Sequence, residues 1–220
     1  GFLAAHHDAE LGGMQLPFVV ADACGKGVTA ALFVALARSL LRAASQAPWI
    51  FQDRMQLDAE SVLTGALRLV NDYICREHGE SNMFITLFYA VLNPVTGALA
   101  YVNAGHNPPL IVEPCATAIH ETETGVLPVG ILPAQQYEVL RAELAPGARL
   151  VAFSDGITEA MNPAGEIYGD ERLHAALRAY AALPGDELVA AIISDVDTYA
   201  AAAPQADDMT LLVVTRTSLE

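Results

Sequence analysis

The chain has 220 residues, 53% of them hydrophobic, with 11 basic against 26 acidic side chains and a formal charge of −15. This composition supports a large core and excludes a disordered chain, and the scarcity of Lys and Arg excludes a nucleic-acid surface. Three cysteines, odd in number and far apart at 24, 75 and 115, argue against a disulfide framework and fit a reducing cytoplasm. No apolar run approaches the ~20 residues of a membrane span, and no basic start precedes an apolar segment, so neither membrane insertion nor a signal peptide is expected. The length suits one domain.

Gly1 to Gln15 is weakly patterned, and His6-His7-Asp8 reads as a polar turn between two strands rather than a metal cluster, because adjacent residues of an extended chain point to opposite faces. Leu16–Ala21 is an apolar strand. From Val28 to about Gln46 the pattern is helical, stopped before Pro48. Ala30, Phe33, Val34, Ala37, Leu41 and Ala44 form one apolar face and Leu32, Leu36 and Leu40 a second, so this helix is expected to be covered on two sides. A loop carrying Trp49 leads to a second helix, from an Asp58 N-cap to about His78, ended by Gly79.

Phe84–Leu92 and Ala98–Ala104 form a hairpin around Asn93-Pro94-Val95-Thr96-Gly97. Gly105-His106-Asn107-Pro108-Pro109 interrupts the second strand, and Leu110–Val112 is expected to resume it. Gly125–Pro133 is a loop. Tyr137–Leu144 and Arg149–Ser154 read as strands joined by Pro146-Gly147, followed by helices over Asp170–Ala182 and Asp186–Ala201 and a last strand over Thr210–Thr215. Strands apolar at successive positions, such as Phe18-Val19-Val20 and Leu211-Leu212-Val213-Val214, are read as buried on both faces. Hairpins and paired helices together predict an α+β fold, an α-β-β-α sandwich of two mainly antiparallel sheets flanked by helix pairs.

Three stretches share one character: a carboxylate at a strand end beside small residues. They are Asp22 in VVADACGKG, Asp155 in VAFSDGITE and Asp207 in ADDMTLLVV. Asp22 and Asp155 follow their strands and Asp207 precedes its own. If the last strand runs antiparallel to the other two, all three acids lie at one sheet edge. Hard cations such as Mg²⁺ or Mn²⁺ favour oxygen ligands, and three or four carboxylates suffice for a pair of ions that activate water against a phosphate ester.

Asp22-Ala23-Cys24-Gly25-Lys26-Gly27, Ser154-Asp155-Gly156-Ile157-Thr158-Glu159 and Asp207-Asp208-Met209-Thr210 resemble the motifs of the metal-dependent 2C-type protein serine/threonine phosphatases. The closer match is the bacterial branch typified by the stage II sporulation phosphatase. Phe84-Ile85-Thr86, Ala104-Gly105-His106-Asn107-Pro108 and Leu127-Pro128-Val129-Gly130 are also similar to that branch, and the motifs fall in family order from about Val19 to the end.

The resemblance implies two Mn²⁺ or Mg²⁺ ions bridged by Asp22, one of them also bound by the backbone carbonyl of Ala23. Asp155 and Asp207 would bind the second ion, and Glu159 matches a position that serves a weaker third. A bridging hydroxide would attack phosphoserine or phosphothreonine in line, without a phosphoenzyme. Asp208 would orient Asp207 or the Thr210 turn rather than bind metal. The implied substrate is a phosphorylated regulatory protein, such as an anti-sigma-factor antagonist, under an upstream sensor or receiver domain.

The family opens with a Gly-Gly-Asp motif, whereas here Gly12-Gly13 is followed by Met14. Counting back from Asp22, that motif would fall just before Gly1. Residues 1–220 are therefore expected to be a phosphatase domain short of its first strand and of that Asp, and weakly active as it stands.

His106 is read as fixing its turn rather than as a general acid, Lys26 equally as a phosphate contact or a solvated residue, and Asp195-Val196-Asp197 as the wet face of a helix. No Arg lies six residues after any cysteine, and the Gly25–Thr29 stretch lacks the spacing of a nucleotide loop. The alternatives to a protein phosphatase are a catalytically impaired binding module of the same fold that sequesters a signalling partner, and a two-metal hydrolase of small phosphate esters. The surplus apolar surface of the first two helices is expected to dock a regulatory domain or a second copy of the chain.

Overall fold

The computed structural model describes residues 2–5, 15–25, 28–45, 59–79, 83–205 and 207–217. His6, His7, Asp8, Gly12, Gly13, Met14, Lys26, Trp49 and Asp58 lie outside them. The chain divides into two compact units, 1–106 with 123–143, and 107–122 with 144–220.

The first unit is a five-stranded antiparallel sheet in the order β1-β2-β3-β4-β7, carrying α1 and α2. Its strands are β1 (Phe2–Ala5), β2 (Leu16–Ala23), β3 (Ile85–Leu92), β4 (Ala98–Ala104) and β7 (Leu140–Glu143). Its helices are α1 (Val28–Ser45) and α2 (Ala59–His78). The β3–β4 turn is closed by Asn93 Oδ1, which accepts from the N–H groups of Val95 and Thr96 at 3.0 Å each. Gly97, at φ 82°, supplies the left-handed residue that the turn needs.

Alternation decides what packs on the helices. Val19, Ala21, Leu87, Tyr89, Val91 and Val102 share a cluster with Phe33, Ala37, Leu41, Leu63, Leu67, Val70 and Ile74. The intervening Phe18, Val20, Phe88, Leu92, Leu99 and Tyr101 are buried as well. Both faces of the central strands are therefore out of water, as their unbroken apolar sequence requires. The predicted first face of α1 is the buried one. The second face is only half covered: Leu36 and Leu40 pack at the margin of the core, while Leu32 is 66% exposed.

The second unit is a four-stranded antiparallel sheet in the order β6-β5-β8-β9. Its strands are β5 (Leu110–Val112), β6 (Ile119–Glu121), β8 (Arg149–Phe153) and β9 (Leu211–Thr215). Its helices are α4 (Gly169–Ala179), α5 (Gly185–Ala200) and the single turn α3 (Asp155–Thr158). Leu110, Val112, Val151 and Phe153 form a core with Ile157, Tyr168, Leu173, Leu177, Leu188, Ile192 and Val196.

Three expectations need correction. Leu110–Val112 does not resume β4; after the Gly-His-Asn-Pro-Pro break it joins the other sheet, between β6 and β8. A strand of three apolar residues carries no information about which sheet it enters. The strand expected over Tyr137–Leu144 shortens to β7. Finally, β9 is half-buried along Leu211–Val214, not fully buried, because it is an edge strand.

Candidate metal-dependent phosphatase site

In the first unit, Asp22 is the last residue but one of β2, inside the strand rather than after it, and is paired across the ladder with Thr86 on β3. The ladder runs on past Ala23, opposite Ile85, and Cys24 N–H donates to Phe84 C=O at 3.0 Å. The Asp22 backbone is thus fixed by β3 up to the point where the chain turns at Gly25, which has φ 99°. Asp22 is half-buried.

A polar chain stands behind it. The Thr86 hydroxyl donates to the Asp22 carbonyl at 3.4 Å and lies 3.2 Å from His106 Nδ1. His106 N–H donates to the Asn103 side-chain oxygen at 2.8 Å. His106 is buried, and its role as the fixed point of its turn agrees with this geometry. Gly105 is at φ 70°, and a Cβ there would meet the Pro128 ring at 2.7 Å, so the turn and the Leu127–Gly130 loop close on each other only because position 105 is glycine.

Asn71 performs the matching task at the far end of that loop. It sits on the buried face of α2 and is fully buried. Its Oδ1 accepts from Gly130 N–H at 2.9 Å, and its Nδ2 donates to Leu132 C=O at 2.9 Å. Sequence reasoning passed over Asn71. The signal was present: a lone amide at helical spacing among Leu67, Val70 and Ile74.

In the second unit, the antiparallel pairing of β8 with β9, Phe153 opposite Leu211, brings Asp155 and Asp207 to the same end of one sheet. For these two the predicted strand-end juxtaposition is present. Ser154 joins them. Its N–H donates to Thr210 C=O at 3.0 Å, its hydroxyl donates to Asp208 C=O at 3.0 Å, and it accepts from Thr210 N–H at 2.9 Å. A serine before a helix commonly caps it; the side chain of this one makes no capping bond and binds the segment leading into β9 instead. A Cβ on Gly156 would come 2.4 Å from Asp208 O and 3.2 Å from Asp207 O, so the start of α3 presses directly on the Asp207–Asp208 backbone.

Asp207 is half-buried, accepts from Asp208 N–H at 2.8 Å through Oδ1, and has its carbonyl bound by Gln205 Nε2 at 2.9 Å. The exposed Asp208 thus meets Asp207 through its backbone N–H and Ser154 through its carbonyl. Glu159 is exposed at the end of α3, its N–H donating to Asp155 C=O at 2.7 Å.

Asp155 carries the feature most telling for chemistry. Its Oδ1 is buried and has no hydrogen-bond partner. A buried carboxylate oxygen without a donor costs stability unless a cation completes it, so this donor set fits a hard divalent ion. Among the described residues, no group of three or more His, Cys, Asp or Glu side chains comes together to hold a metal. Asp22 belongs to the first unit and Asp155 and Asp207 to the second.

Two antiparallel sheets with their helices, and acids at the strand ends, define the fold of the 2C-type serine/threonine protein phosphatases. The SiaA-PP2C domain of Pseudomonas aeruginosa matches over 97% of this chain and 79% of its own, with a TM-score of 0.77 and 20% identity. A catalytic domain of the serine/threonine protein phosphatase PstP, solved in complex with two manganese ions, matches over 97% of this chain and 96% of its own at a TM-score of 0.61 and 18% identity. The family model of stage II sporulation protein E (SpoIIE) matches residues 12–217, and the chain belongs to that family.

Among curated relatives, protein IcfG of Synechocystis sp. is 33% identical over 94% of this chain and 34% of its own length. The phosphoserine phosphatase RsbU of Bacillus subtilis is 27% identical over 66% of this chain and 39% of its own. The chain thus spans little more than a third of the curated relatives it matches. Among the described residues, no helix is long and apolar enough to cross a membrane.

Proposed function

We propose that the chain hydrolyses phosphoserine or phosphothreonine on a regulatory protein in a divalent-metal-dependent reaction. The observation that carries the reading is the buried, unpartnered Oδ1 of Asp155, held with Asp207 at one sheet end in a chain of this family. Asp155 and Asp207 are assigned as ligands of Mn²⁺ or Mg²⁺ in the second unit, Asp22 and the Ala23 carbonyl as metal ligands in the first, and Glu159 as a ligand for a weaker third ion. When bound, such ions lower the pKa of water and offset the charge of the displaced phosphate.

The chain's own residues hold the carboxylates ready. Ser154 and Gly156 clamp Asp155 to the Asp207–Asp208 strand, and β3 with Thr86 and His106 fixes the backbone of Asp22. The likeness to RsbU, a phosphoserine phosphatase, supports a phosphoserine-bearing substrate, which we infer to be a protein of a partner-switching circuit in the cytoplasm. The relatives' greater length leaves room for a sensor or receiver domain beside a region like this one. The exposed Leu32 on α1 and Leu69 on α2 support docking of that domain, or of a second copy, on this helix pair.

The test is Mn²⁺-dependent phosphate release from a phosphoserine peptide. Asp155→Asn and Asp22→Asn are each expected to lower it about 100-fold or more; activity that survives both substitutions would remove the assignment. A second reading, a phosphatase-fold module that sequesters a partner, is favoured by the absence of three converging acids among the described residues. Calorimetry with Mn²⁺ separates the two, since such a module binds the ion weakly at one site or not at all.

A further inference from the structure

Beside the Asp155–Asp207 end of the second sheet lies a recess of about 180 Å³, lined by Met161, Val196, Asp197, Ala200, Ala203 and Met209. It adjoins the candidate site on both sides. Gly156, which follows Asp155, forms part of its wall, and so does Gln205, whose amide binds the Asp207 carbonyl. Its lining is mostly small or thioether side chains, which leave room and adapt to what enters. The one charged residue in that lining is Asp197.

The lip of the recess is a small hairpin that is held rigid yet displays apolar side chains. Met161 pairs with Ile167 across it. Asn162 closes it, its Oδ1 accepting from the N–H groups of Ala164 and Glu166 at 2.9 and 3.0 Å. Tyr199 of α5 donates to the carbonyls of Glu166 and Ile167 at 3.2 and 3.0 Å, and Arg172 of α4 lies over the Tyr199 ring while donating to Tyr168 C=O at 3.1 Å. Despite this bracing, Met161 is 44% and Ile167 52% exposed. A loop fixed by so many hydrogen bonds, with its two large apolar groups turned to water, is preorganised for contact.

We propose that this recess and its hairpin lip receive an apolar side chain of the phosphorylated protein segment, with a basic residue beside it facing Asp197, and so determine which phosphorylated segment is accepted. The inference rests on the phosphatase reading and deepens it. Continuity with the candidate site selects the substrate itself as the occupant, and the lone acid selects a cationic neighbour for the apolar group.

The test uses phosphoserine peptides of alanine and glycine in which one leucine, flanked by lysine or by glutamate, is walked along both sides of the phosphoserine. One leucine register is expected to raise kcat/KM about tenfold, with lysine preferred. Ala203→Trp, which fills the recess, is expected to lower the ratio of kcat/KM for that peptide to kcat/KM for p-nitrophenyl phosphate about tenfold. Met161→Ser, at the exposed lip, lowers the same ratio without crowding the fold, and Asp197→Lys exchanges the lysine preference for glutamate. An unchanged peptide ranking in Ala203→Trp and Met161→Ser overturns the proposal. If p-nitrophenyl phosphate is not hydrolysed at all, the phosphatase reading fails separately; anisotropy of the same peptides carrying fluorescein then decides, register-dependent binding supporting the recess and register-independent binding overturning it.

Discussion

Ser154 holds Asp208 by a 3.0 Å hydrogen bond between residues 54 positions apart, and the same hydroxyl accepts from Thr210 at 2.9 Å. One buried oxygen thereby sets the spacing of the two strand ends that carry Asp155 and Asp207. Ser154→Ala deletes the hydroxyl that bonds the partly buried Asp208 carbonyl and Thr210 N–H. It is expected to destabilise the chain by about 1–3 kcal/mol in urea unfolding and to weaken Mn²⁺ binding about tenfold in calorimetry. A variant of unchanged manganese affinity would reduce Ser154 to a purely structural role.

Asp155→Asn separates stability from function. Replacing a carboxylate whose buried Oδ1 lacks a donor is expected to raise the stability of the metal-free chain by about 1 kcal/mol. The same change should abolish the stabilisation by Mn²⁺, which for a single site at a hundredfold excess over Kd amounts to about 2.7 kcal/mol. Thermal unfolding with and without manganese reads both effects, and a loss of stability in the metal-free variant would contradict this account of Oδ1.

Asn71 offers an internal comparison. Asn71→Leu keeps the volume but strands Gly130 N–H and Leu132 C=O, and is expected to cost about 1–3 kcal/mol. The neighbouring Asp72 is exposed and accepts from Ala134 N–H at 3.3 Å, so Asp72→Ala should stay within about 0.5 kcal/mol of the parent chain. Equal losses in the two variants, measured by denaturant midpoint, would dissolve the distinction.

Burial pushes the Tyr168 phenol well above its ordinary value, helped by its 2.5 Å bond to the Asp195 carboxylate and by the charge of that carboxylate. Below a pH of about 10 the phenol is protonated in folded and unfolded chains alike, and its contribution is fully present. As pH rises past that value the unfolded chain loses the proton first, so stability falls toward the raised folded value. Tyr168→Phe is expected to make the alkaline decline shallower, as read from unfolding free energies between neutral and strongly alkaline pH. An identical slope in the variant would show that the phenol does not contribute.

Much of this was legible in the sequence, for reasons that particular residues make plain. The α1 stripe of Ala30, Phe33, Ala37, Leu41 and Ala44 is long and periodic, and it is the buried face. The Asn93–Gly97 turn carries its own instructions in Asn93 and Gly97. The strand ends at Asp155 and Asp207 were marked by apolar runs that stop at acids.

What was not legible depends on partners distant in sequence. Residues 110–112 show no preference between two sheets, and the triplet Ile119–Glu121, one apolar residue before two polar ones, is too short to show a pattern. The single turn α3 is too short for periodicity. The helical pattern makes Asp195 a solvated residue, yet it accepts from Tyr168 and, at 3.5 Å, from Tyr180, two residues that arrive from earlier in the chain.

The path of the polypeptide through its two units has a consequence for how such a region can be cut or exchanged. The chain leaves the first unit after His106, re-enters it at Glu123 and departs again after Glu143. No single break releases either unit complete. A segment starting at Asn107 would carry β7 away from β4, its ladder partner, and a segment ending at His106 would leave β4 with a bare edge. Recombination between relatives is therefore expected to transmit the whole stretch as one heritable block, with swapped halves aggregating through the strand edges they expose.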